Sequence, residues 1–315
     1  MAWKQNIIED FKQLVSFDSI SFHERKTADW LIERLQKMGF SVEEDDAGSH
    51  YGGDTGNLYA VLDGTLPGDP VIFCAHMDVV EPGSGKKSVL EKDGTIHSAG
   101  DTVLGADDIS GILEILYGVQ LVLDSGKPHK KIEILFTIGE ELYVKGSDVF
   151  DYSKVTAKQA YVLDLSEETT FNIGTIQGGT ATNIVPDCCV LTGEIRSYDH
   201  GKALETVRMT ERIFTEEAQK INATAEVTSQ IHLIAYETPL ESKSVTDFQK
   251  ACEILGFSGE LTGTFGGSDN NSFAKNGIEG LVLSNGMYNA HSTREYTTVD
   301  DLYKGAELIG QLILL

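Results

Sequence analysis

The chain has no apolar run long enough to cross a bilayer, and it carries few basic residues. Lys and Arg total 25 against 49 Asp and Glu, which gives a formal net charge of −24. Phosphate backbones are bound through Lys and Arg, so this balance excludes nucleic acid as an expected partner. A membrane partner is not expected either, because a spanning helix needs about 20 mostly apolar residues. The excess of carboxylates instead favours cations, metals included, as ligands.

Cysteine is scarce as well, with four residues among 315. Cys74, Cys188, Cys189 and Cys252 show no CxxC spacing, which argues against a zinc knuckle and a disulfide framework. The first residues, MAWKQNIIEDFKQLV, have the pattern of an amphipathic helix that contains acids, and not of a signal peptide. We therefore expect a cytoplasmic protein with reduced cysteines.

What the chain does have is an alternation of strand and helix patterns. Residues 3–16, 23–38 and 108–123 show helical spacing of apolar residues, and short apolar segments such as PVIFCAH and KIEILFTI are typical of buried strands. Strands that alternate with helices predict a three-layer α/β domain with a mixed, mostly parallel sheet.

Around residue 171 the pattern changes. The segments FNIGTIQ, TATNIVPD and CCVLTGEIRSYD are typical of antiparallel strands, a helix is expected over 201–221, and TAEVTSQIHLIAY is expected to be a strand. The α/β pattern resumes near 243, so we expect a small β/α insertion in a discontinuous main domain. The expected bounds are 1–168 and 243–315 for the main domain and 169–242 for the insertion.

The strand segment VIFCAHMDVV ends in His76 and Asp78, two positions apart. Residues i and i+2 of an extended chain point to the same side, so the two side chains share one face where the strand leaves the core. Taken alone, the pair has a simple interpretation as a hydrogen-bonded His–Asp pair at a strand end.

Other stretches also place acids or a histidine where predicted strands end, which is where open α/β sheets bind ligands. A pair of Asp at a helix start is usually a cap, but adjacent carboxylates at an apolar strand end repel each other and favour a cation as partner. These residues are Asp107 and Asp108 in LGADDISG, Glu140 and Glu141 in TIGEELYVKGS, Asp164 in YVLDLS and His291 in NAHSTRE.

Together these segments supply two His and several carboxylates, with no Cys among them. Such a nitrogen and oxygen ligand set suits Zn²⁺, Mn²⁺ or Co²⁺ in a hydrolytic site. Two metal ions need one bridging carboxylate and about two further ligands each, and the set is large enough for both. The sequence therefore predicts a centre with two divalent metal ions.

The ordered motifs resemble the dizinc aminoacylase and carboxypeptidase superfamily, in particular its peptidase T-like branch of tripeptide aminopeptidases. The resemblance runs from about residue 7 to the C-terminus, and it implies the zinc-exopeptidase fold, zinc as the metal and short peptides as substrates. The motifs that carry it are HMDVVEPG, LGADD, IGEELYVKGS, TNIVPD, GEIRS, FGGSDNNSF and NAHSTRE.

The resemblance also implies a role for each matching residue. His76 and Asp164 would hold one metal, Glu141 and His291 the other, and Asp107 would bridge the two. Asp78 would orient His76, and Glu140 would be the general base. The bond between Asp107 and Asp108 is cis in the relatives. Candidate substrate-binding residues are Asn183, Arg196, Gly267, Ser268 and Asp269.

The chain departs from the family in the insertion. A lid normally carries a His that reaches the substrate oxyanion, but YVLDLS runs directly into EETTFNIGTIQGG. The stretch expected between residues 166 and 167 is absent, and neither His200 nor His232 stands in the matching context. Loss of one oxyanion donor costs about 10²–10³ in rate. The same loss puts the family's usual homodimer in doubt.

Three functions remain open on the sequence. The first is a metal-dependent exopeptidase of the peptidase T type that acts on short peptides. The second is an enzyme with the same metal ions and a different substrate, either an N-acyl-amino-acid deacylase or a carboxypeptidase. The third is a metal-binding protein with little catalysis, because the lid is incomplete.

Overall fold

The computed structural model describes residues 2–164, 171–263 and 266–315. The chain divides into two compact units. The main unit comprises Met1–Leu165, Thr238–Thr262 and Gly267–Leu315, and the small unit comprises Ser166–Glu237 and Gly263–Gly266. The domain bounds expected from the sequence stay a prediction, and the junction at 166 and 167 lies outside the described residues.

The main unit contains a large sheet, a small sheet and seven helices among its described residues. The helices are α1 (Ala2–Val15), α2 (Arg25–Lys37), α3 (Ala106–Ser125), α4 (Lys145–Val149), α6 (Lys243–Leu255), α7 (Asn270–Lys275) and α8 (Val299–Ile313). The strands are β1 (Ser41–Glu44), β2 (Leu58–Leu62), β3 (Val71–His76), β4 (Ser88–Leu90), β5 (Thr95–Ser98), β6 (Ile132–Thr137), β7 (Gln159–Leu163), β10 (Glu279–Leu283) and β11 (Tyr296–Thr298).

The large sheet has the strand order β1-β2-β6-β3-β7-β10. The pairs β6–β3, β3–β7 and β7–β10 are parallel, whereas β1–β2 and β2–β6 are antiparallel. The predicted α/β class with a mixed, mostly parallel sheet is therefore confirmed. The small sheet has the order β11-β5-β4, and its strands β4 and β5 pair antiparallel across a turn at Asp93 and Gly94.

The parallel strands bring the predicted site residues to one edge of the sheet. In β3 and β6, His76 is opposite Thr137, and the two strands end together. β7 ends at Leu163, directly before Asp164. The carboxyl ends of parallel strands form the usual ligand-binding edge of an open α/β sheet. These loops are neighbours because β3 lies between β6 and β7 in the sheet, although the three strands are far apart in the sequence.

Helix α3 lies in the core, and this explains why its sequence is apolar on nearly every side. Its buried residues include Ile109, Ile112, Leu116 and Val119, which join the main hydrophobic cluster together with residues of α1 and α8. A helix that is apolar around most of its circumference is typical of a buried helix. The N-terminus of α3 is thereby fixed, and it carries the Asp107–Asp108 pair.

Glu114 is the one charged residue among the buried residues of α3 that lies beyond its first turn. Its Oε1 is buried without a hydrogen-bond partner, and its carboxyl group packs against Gly305 of α8. Burial, followed by repulsion from Asp108 and Asp301, raises the pKa of Glu114 well above its usual value. A buried carboxyl of this kind makes stability depend on pH.

Replacement of Glu114 by Gln is expected to stabilise the chain more as pH rises. The pKa of Glu114 is raised in the folded state, so the native protein loses stability above the unfolded pKa of about 4.3, and the amide variant does not. Thermal unfolding in EDTA at about pH 5 and about pH 8 measures the effect. A difference in Tm between variant and wild type that does not grow with pH would contradict the assignment. Glu253→Gln, at an exposed position of α6, is the control.

The small unit contains strands β8 (Phe171–Gly178) and β9 (Cys189–Ile195), which pair antiparallel, and helix α5 (His200–Lys220). The strands predicted over TATNIVPD (180–187) and TAEVTSQIHLIAY (224–236) are wrong: the first forms turns and bends, and the second has no regular structure. A strand pattern describes a surface that fits a sheet, and it does not by itself fix where a strand forms.

No helix among the described residues has both the length and the apolar character to cross a membrane.

Candidate metal centre

Asp107 lies between the two predicted histidine ligands. Its Oδ1 is 3.0 Å from His76 Nε2, and its Oδ2 is 3.2 Å from His291 Nε2. His76 is the last residue of β3, Asp107 lies at the start of α3, and His291 lies in the loop before β11. The peptide bond between Asp107 and Asp108 is cis, as the resemblance implied. A carboxylate with an imidazole beside each oxygen can bridge two metal ions that these imidazoles also bind.

Glu141 lies beside His291. Its Oε2 lies 3.1 Å from His291 Nε2, and its Oε1 is buried without a hydrogen-bond partner. Ligand atoms of His76, Asp107 and Glu141 all lie within 4.8 Å of one another. A buried carboxylate oxygen with no donor is costly unless a cation binds it. The donor set, nitrogen and oxygen without sulfur, fits a divalent metal of the zinc type.

Asp164 is also buried at this edge of the sheet. Its backbone N–H donates to the carbonyl of Leu283 at 3.2 Å, which holds it at the end of β7 beside β10. Burial raises the pKa of Glu140 and of Asp108, and repulsion from the nearby Asp164 carboxylate adds to both shifts. The structure thus gathers the predicted ligands in the main unit, and their individual roles stay predictions.

Asp78 contacts His76 in a different way from the one expected. The closest contact of His76 Nδ1 is the backbone carbonyl of Asp78 at 3.0 Å, and the carboxylate Oδ1 is at 3.5 Å. Because a carbonyl only accepts, Nδ1 carries the proton and Nε2 is free to act as a ligand. The Asp78 carboxylate instead accepts the backbone N–H groups of Glu140 and Glu141 at 2.9 and 3.2 Å.

This centre lies within the part of the chain that matches a known protein family. The model of peptidase family M20/M25/M40 matches residues 72–315. The chain belongs to this family. The predicted membership of a metallopeptidase superfamily and the predicted class of function, a metal-dependent exopeptidase, are confirmed.

Relatives of this M20 peptidase extend over nearly its whole length. An uncharacterized Bacillus subtilis protein, YqjE, is 29% identical, and the match covers 99% of each chain. The crystal structure of aminopeptidase PepT from Bacillus cereus has 29% identity and a TM-score of 0.87, and covers 98% of each chain. A tripeptidase structure from Staphylococcus aureus has 26% identity and a TM-score of 0.92, and covers 98% of this chain and 97% of its own. The peptidase T-like character predicted from the motifs is therefore confirmed.

Without a metal, the carboxylates around His291 in this M20 peptidase favour the protonated form of its imidazole. Hydrogen bonds to Asp107 and Glu141 raise the pKa of His291 to about 11. Burial alone would raise the pKa of Asp107, but hydrogen bonds from His291 and His76 outweigh it and hold this pKa below its usual value. A divalent cation would take the place of these protons, because a ligating imidazole must be neutral. Metal binding is therefore coupled to proton release.

Glu140 occupies an environment that suits a general base. It is buried, and burial, followed by repulsion from Asp164, raises the pKa of its carboxyl well above the usual value. A raised carboxyl pKa strengthens the group as a proton acceptor, and catalytic carboxyl groups are commonly tuned in this direction. The M20 centre thus places a basic carboxylate next to its predicted ligand Glu141.

Two buried carboxylates without a predicted role accept hydrogen bonds from the backbone of predicted ligands, Asp108 from His76 and Glu295 from Asp107. Asp108 accepts the backbone N–H of His76 at 3.1 Å and the side-chain amide of Asn285 at 2.7 Å. Glu295 accepts the backbone N–H of Asp107 at 2.9 Å, and its other oxygen accepts two more N–H groups of the same loop. The sequence signal was present, as acids within GADD and HSTRE, but the acceptor role is visible only in the fold.

Gly111, near the start of α3, lies too close to its neighbours to carry a side chain. A Cβ at this position would lie 2.3 Å from Asp108 Oδ1 and 2.7 Å from Leu163 Cβ. Its backbone N–H also donates to Asp108 Oδ1 at 3.1 Å. A side chain would therefore displace the carboxylate that positions His76.

Three predicted substrate-binding residues lie in the main unit of the M20 peptidase. Gly267 is half-buried, and Ser268 and Asp269 are buried. Asp269 Oδ2 accepts hydrogen bonds from Thr137 Oγ1 at 2.5 Å and from Cys74 Sγ at 3.5 Å. Asp269 thus ties the loop after residue 266 to the ends of β6 and β3, and its substrate role stays a prediction.

The other two predicted substrate-binding residues lie in the small unit. Asn183 is exposed in the turns between β8 and β9. Arg196 is exposed after β9, and its Nε donates to Glu194 Oε1 at 2.9 Å. Both roles stay predictions.

Proposed function

We propose that this M20 peptidase hydrolyses short peptides from their N-terminus with the help of two divalent metal ions, zinc being the metal that suits the donors best. The observation that carries the proposal is Asp107, whose two carboxylate oxygens each face an imidazole nitrogen. A carboxylate that served a single metal ion would not need an imidazole beside each of its two oxygens.

The family resemblance implies how the ligands divide between the two ions on either side of Asp107. His76 and Asp164 would hold one ion, and Glu141 and His291 the other. When bound, the metal ions lower the pKa of a water molecule toward about 7 and polarise the peptide carbonyl. Asp78, through its backbone carbonyl, keeps the proton of His76 on Nδ1 and leaves Nε2 for the metal.

Glu140 would move the proton. One of its carboxylate oxygens accepts a proton from the attacking water, and the same group then donates it to the amine nitrogen of the leaving fragment. Its backbone N–H is held by Asp78 Oδ1, so the carboxylate is presented from a fixed loop. General base catalysis of this kind contributes about 10²–10⁴-fold to the rate.

The preference for short peptides with a free N-terminus rests on the relatives. The structures with 26–29% identity to this chain are an aminopeptidase and a tripeptidase. The alignment with YqjE spans 367 positions, whereas this chain has 315 residues, so YqjE carries residues that this chain lacks. This difference supports the proposal that the small unit is a shortened lid, with a slower turnover than in a complete enzyme.

The test is a hydrolysis panel with defined metals. The metal-free chain is supplied with Zn²⁺, Mn²⁺ or Co²⁺ and offered tripeptides, the same tripeptides with an acetylated N-terminus, and N-acyl amino acids. We expect metal-dependent cleavage of the free tripeptides and little of the acetylated ones. Preference for N-acyl amino acids would replace the proposal with the deacylase. Tight metal binding without cleavage of any substrate would replace it with a metal-binding protein.

A further inference from the structure

Three consecutive backbone N–H groups of the loop that carries Glu140 and Glu141 are bound by two buried carboxyl groups. Glu140 and Glu141 donate to the two oxygens of Asp78, at 2.9 and 3.2 Å. The third group, Gly139 N–H, donates at 3.0 Å to Oε1 of Glu24. The position of this loop is therefore fixed by residues that lie far from it in the sequence.

Glu24 comes from a segment that precedes the residues matched by the family model, 72–315. It is fully buried, and its Oε1 also accepts the N–H of Phe22 at 2.8 Å. Its Oε2 is buried without a hydrogen-bond partner. Burial, followed by repulsion from Asp78, raises the pKa of Glu24 to about 8. Burial of the Glu24 carboxyl group costs free energy, and the hydrogen bonds that it accepts offset part of this cost.

Two further contacts bind the same segment to the loop. Ser21 Oγ donates to Asp78 Oδ2 at 2.7 Å. The ring of Phe22 lies against Gly139, where a Cβ would be 2.5 Å from Phe22 Cε1, and Gly139 has a φ of +57° that favours glycine. Phe22 itself stacks on Tyr51 with ring centroids 5.0 Å apart. The segment thus fits the loop at each of residues 139–141.

We propose that Glu24, assisted by Ser21, is a positioning residue for the reaction: it fixes the loop so that Glu140 and Glu141 are aligned for proton transfer and metal binding. The kinetic part of this inference rests on the proposed function. The Glu24 carboxylate accepts hydrogen bonds from the backbone N–H groups of Phe22 and Gly139, so it acts on the site through Gly139. Groups that orient metal ligands from behind typically contribute about 10–100-fold to metal affinity or activity.

The test compares Glu24→Ala with Glu24→Gln in the full chain. The Ala variant removes the acceptor of Gly139 N–H, so kcat at saturating metal is expected to fall by about 10–100-fold with KM little changed. In a calorimetric titration of Zn²⁺ into the metal-free variant, affinity should fall by about tenfold or more. The Gln variant keeps an acceptor oxygen and replaces only the unpartnered Oε2, so both values should stay close to wild type.

Glu133→Ala is the matched control. Glu133 is also fully buried and accepts the backbone N–H groups of Thr156 and Ala157, but it lies at the opposite end of β6 from the catalytic loop. We expect a lower Tm with unchanged kcat and Zn²⁺ affinity. A folded Glu24→Ala variant with wild-type kcat and affinity would overturn the inference. A Gln variant as impaired as the Ala variant, or a Glu133→Ala variant impaired equally, would overturn it too.

Two outcomes need their own readout. If the wild type shows no peptidase activity, the proposed function fails, and the Zn²⁺ titration alone decides the inference. If Glu24→Ala does not fold, Ser21→Ala replaces it, since that variant removes only the hydroxyl that contacts Asp78. We then expect a smaller loss of kcat and of Zn²⁺ affinity in the same direction, and wild-type values would overturn the inference.

Discussion

Replacement of Glu140 by Gln is expected to lower kcat by about 10²–10⁴-fold while two metal ions remain bound. The amide has nearly the shape of the carboxylate but does not accept the proton of the attacking water. The backbone N–H of residue 140 still donates to Asp78, and Glu141 keeps its contact with His291. Steady-state kinetics on a tripeptide, with metal content measured on the same preparation, tests the prediction.

The control for this variant is Glu260→Gln, an exposed acid outside the centre, which should retain wild-type kcat and metal content. Undiminished kcat in Glu140→Gln would remove Glu140 from the role of general base. A parallel loss of metal and rate would instead make it a ligand.

The Asp107→Ala variant is expected to lose the metal centre itself. Asp107 is the contact that His76 and His291 share, so its removal leaves neither ion with a complete ligand set. Metal content should fall below one ion per chain. Loss of the metals removes several kcal/mol of transition-state stabilisation, which corresponds to about 10³-fold or more in kcat/KM. Elemental analysis after dialysis, together with kinetics at saturating Zn²⁺, measures both effects.

Asp101→Ala is the matched control for Asp107→Ala. Asp101 precedes Asp107 in the same segment and is exposed, so its removal should change neither metal content nor rate. The Asp107→Ala variant must also show a cooperative thermal transition, which separates loss of the ligand from loss of the fold. Retention of two tightly bound ions by this folded variant would contradict the bridging role.

The sequence predicted the part of the centre that is local in the chain. His76 is two residues from Asp78, and Glu140 adjoins Glu141, so a strand pattern followed by these residues was enough to indicate a ligand edge. The contribution of Asp164 and His291 required the additional rule that parallel strands end at the same edge. The resemblance then supplied the division of roles, which no spacing could give.

The parts that the sequence did not predict depend on contacts between distant segments. Glu24 lies 115 positions from Gly139, and Glu295 lies 191 positions from Leu104. In each contact the acid meets a backbone N–H group, which every residue except proline carries, so no side-chain pattern marks the partner. A buried acceptor of this kind becomes visible only when burial and hydrogen bonds are known.

The small unit shows the opposite error. The apolar residues of segments 180–187 and 224–236 favoured strands, but a strand pattern describes a surface that fits a sheet and does not provide the neighbouring strand. Among the described residues, β8 and β9 pair only with each other. A two-stranded sheet is at the limit of what is stable without further cover.

The central claim is that side chains from separate loops meet around two cations, one on each side of Asp107. Anomalous diffraction from crystals grown with Zn²⁺ tests it most directly. The account predicts two anomalous peaks, one contacted by His76 and Asp164 and the other by Glu141 and His291, with Asp107 between them. A single peak, or peaks remote from Asp107, would contradict it.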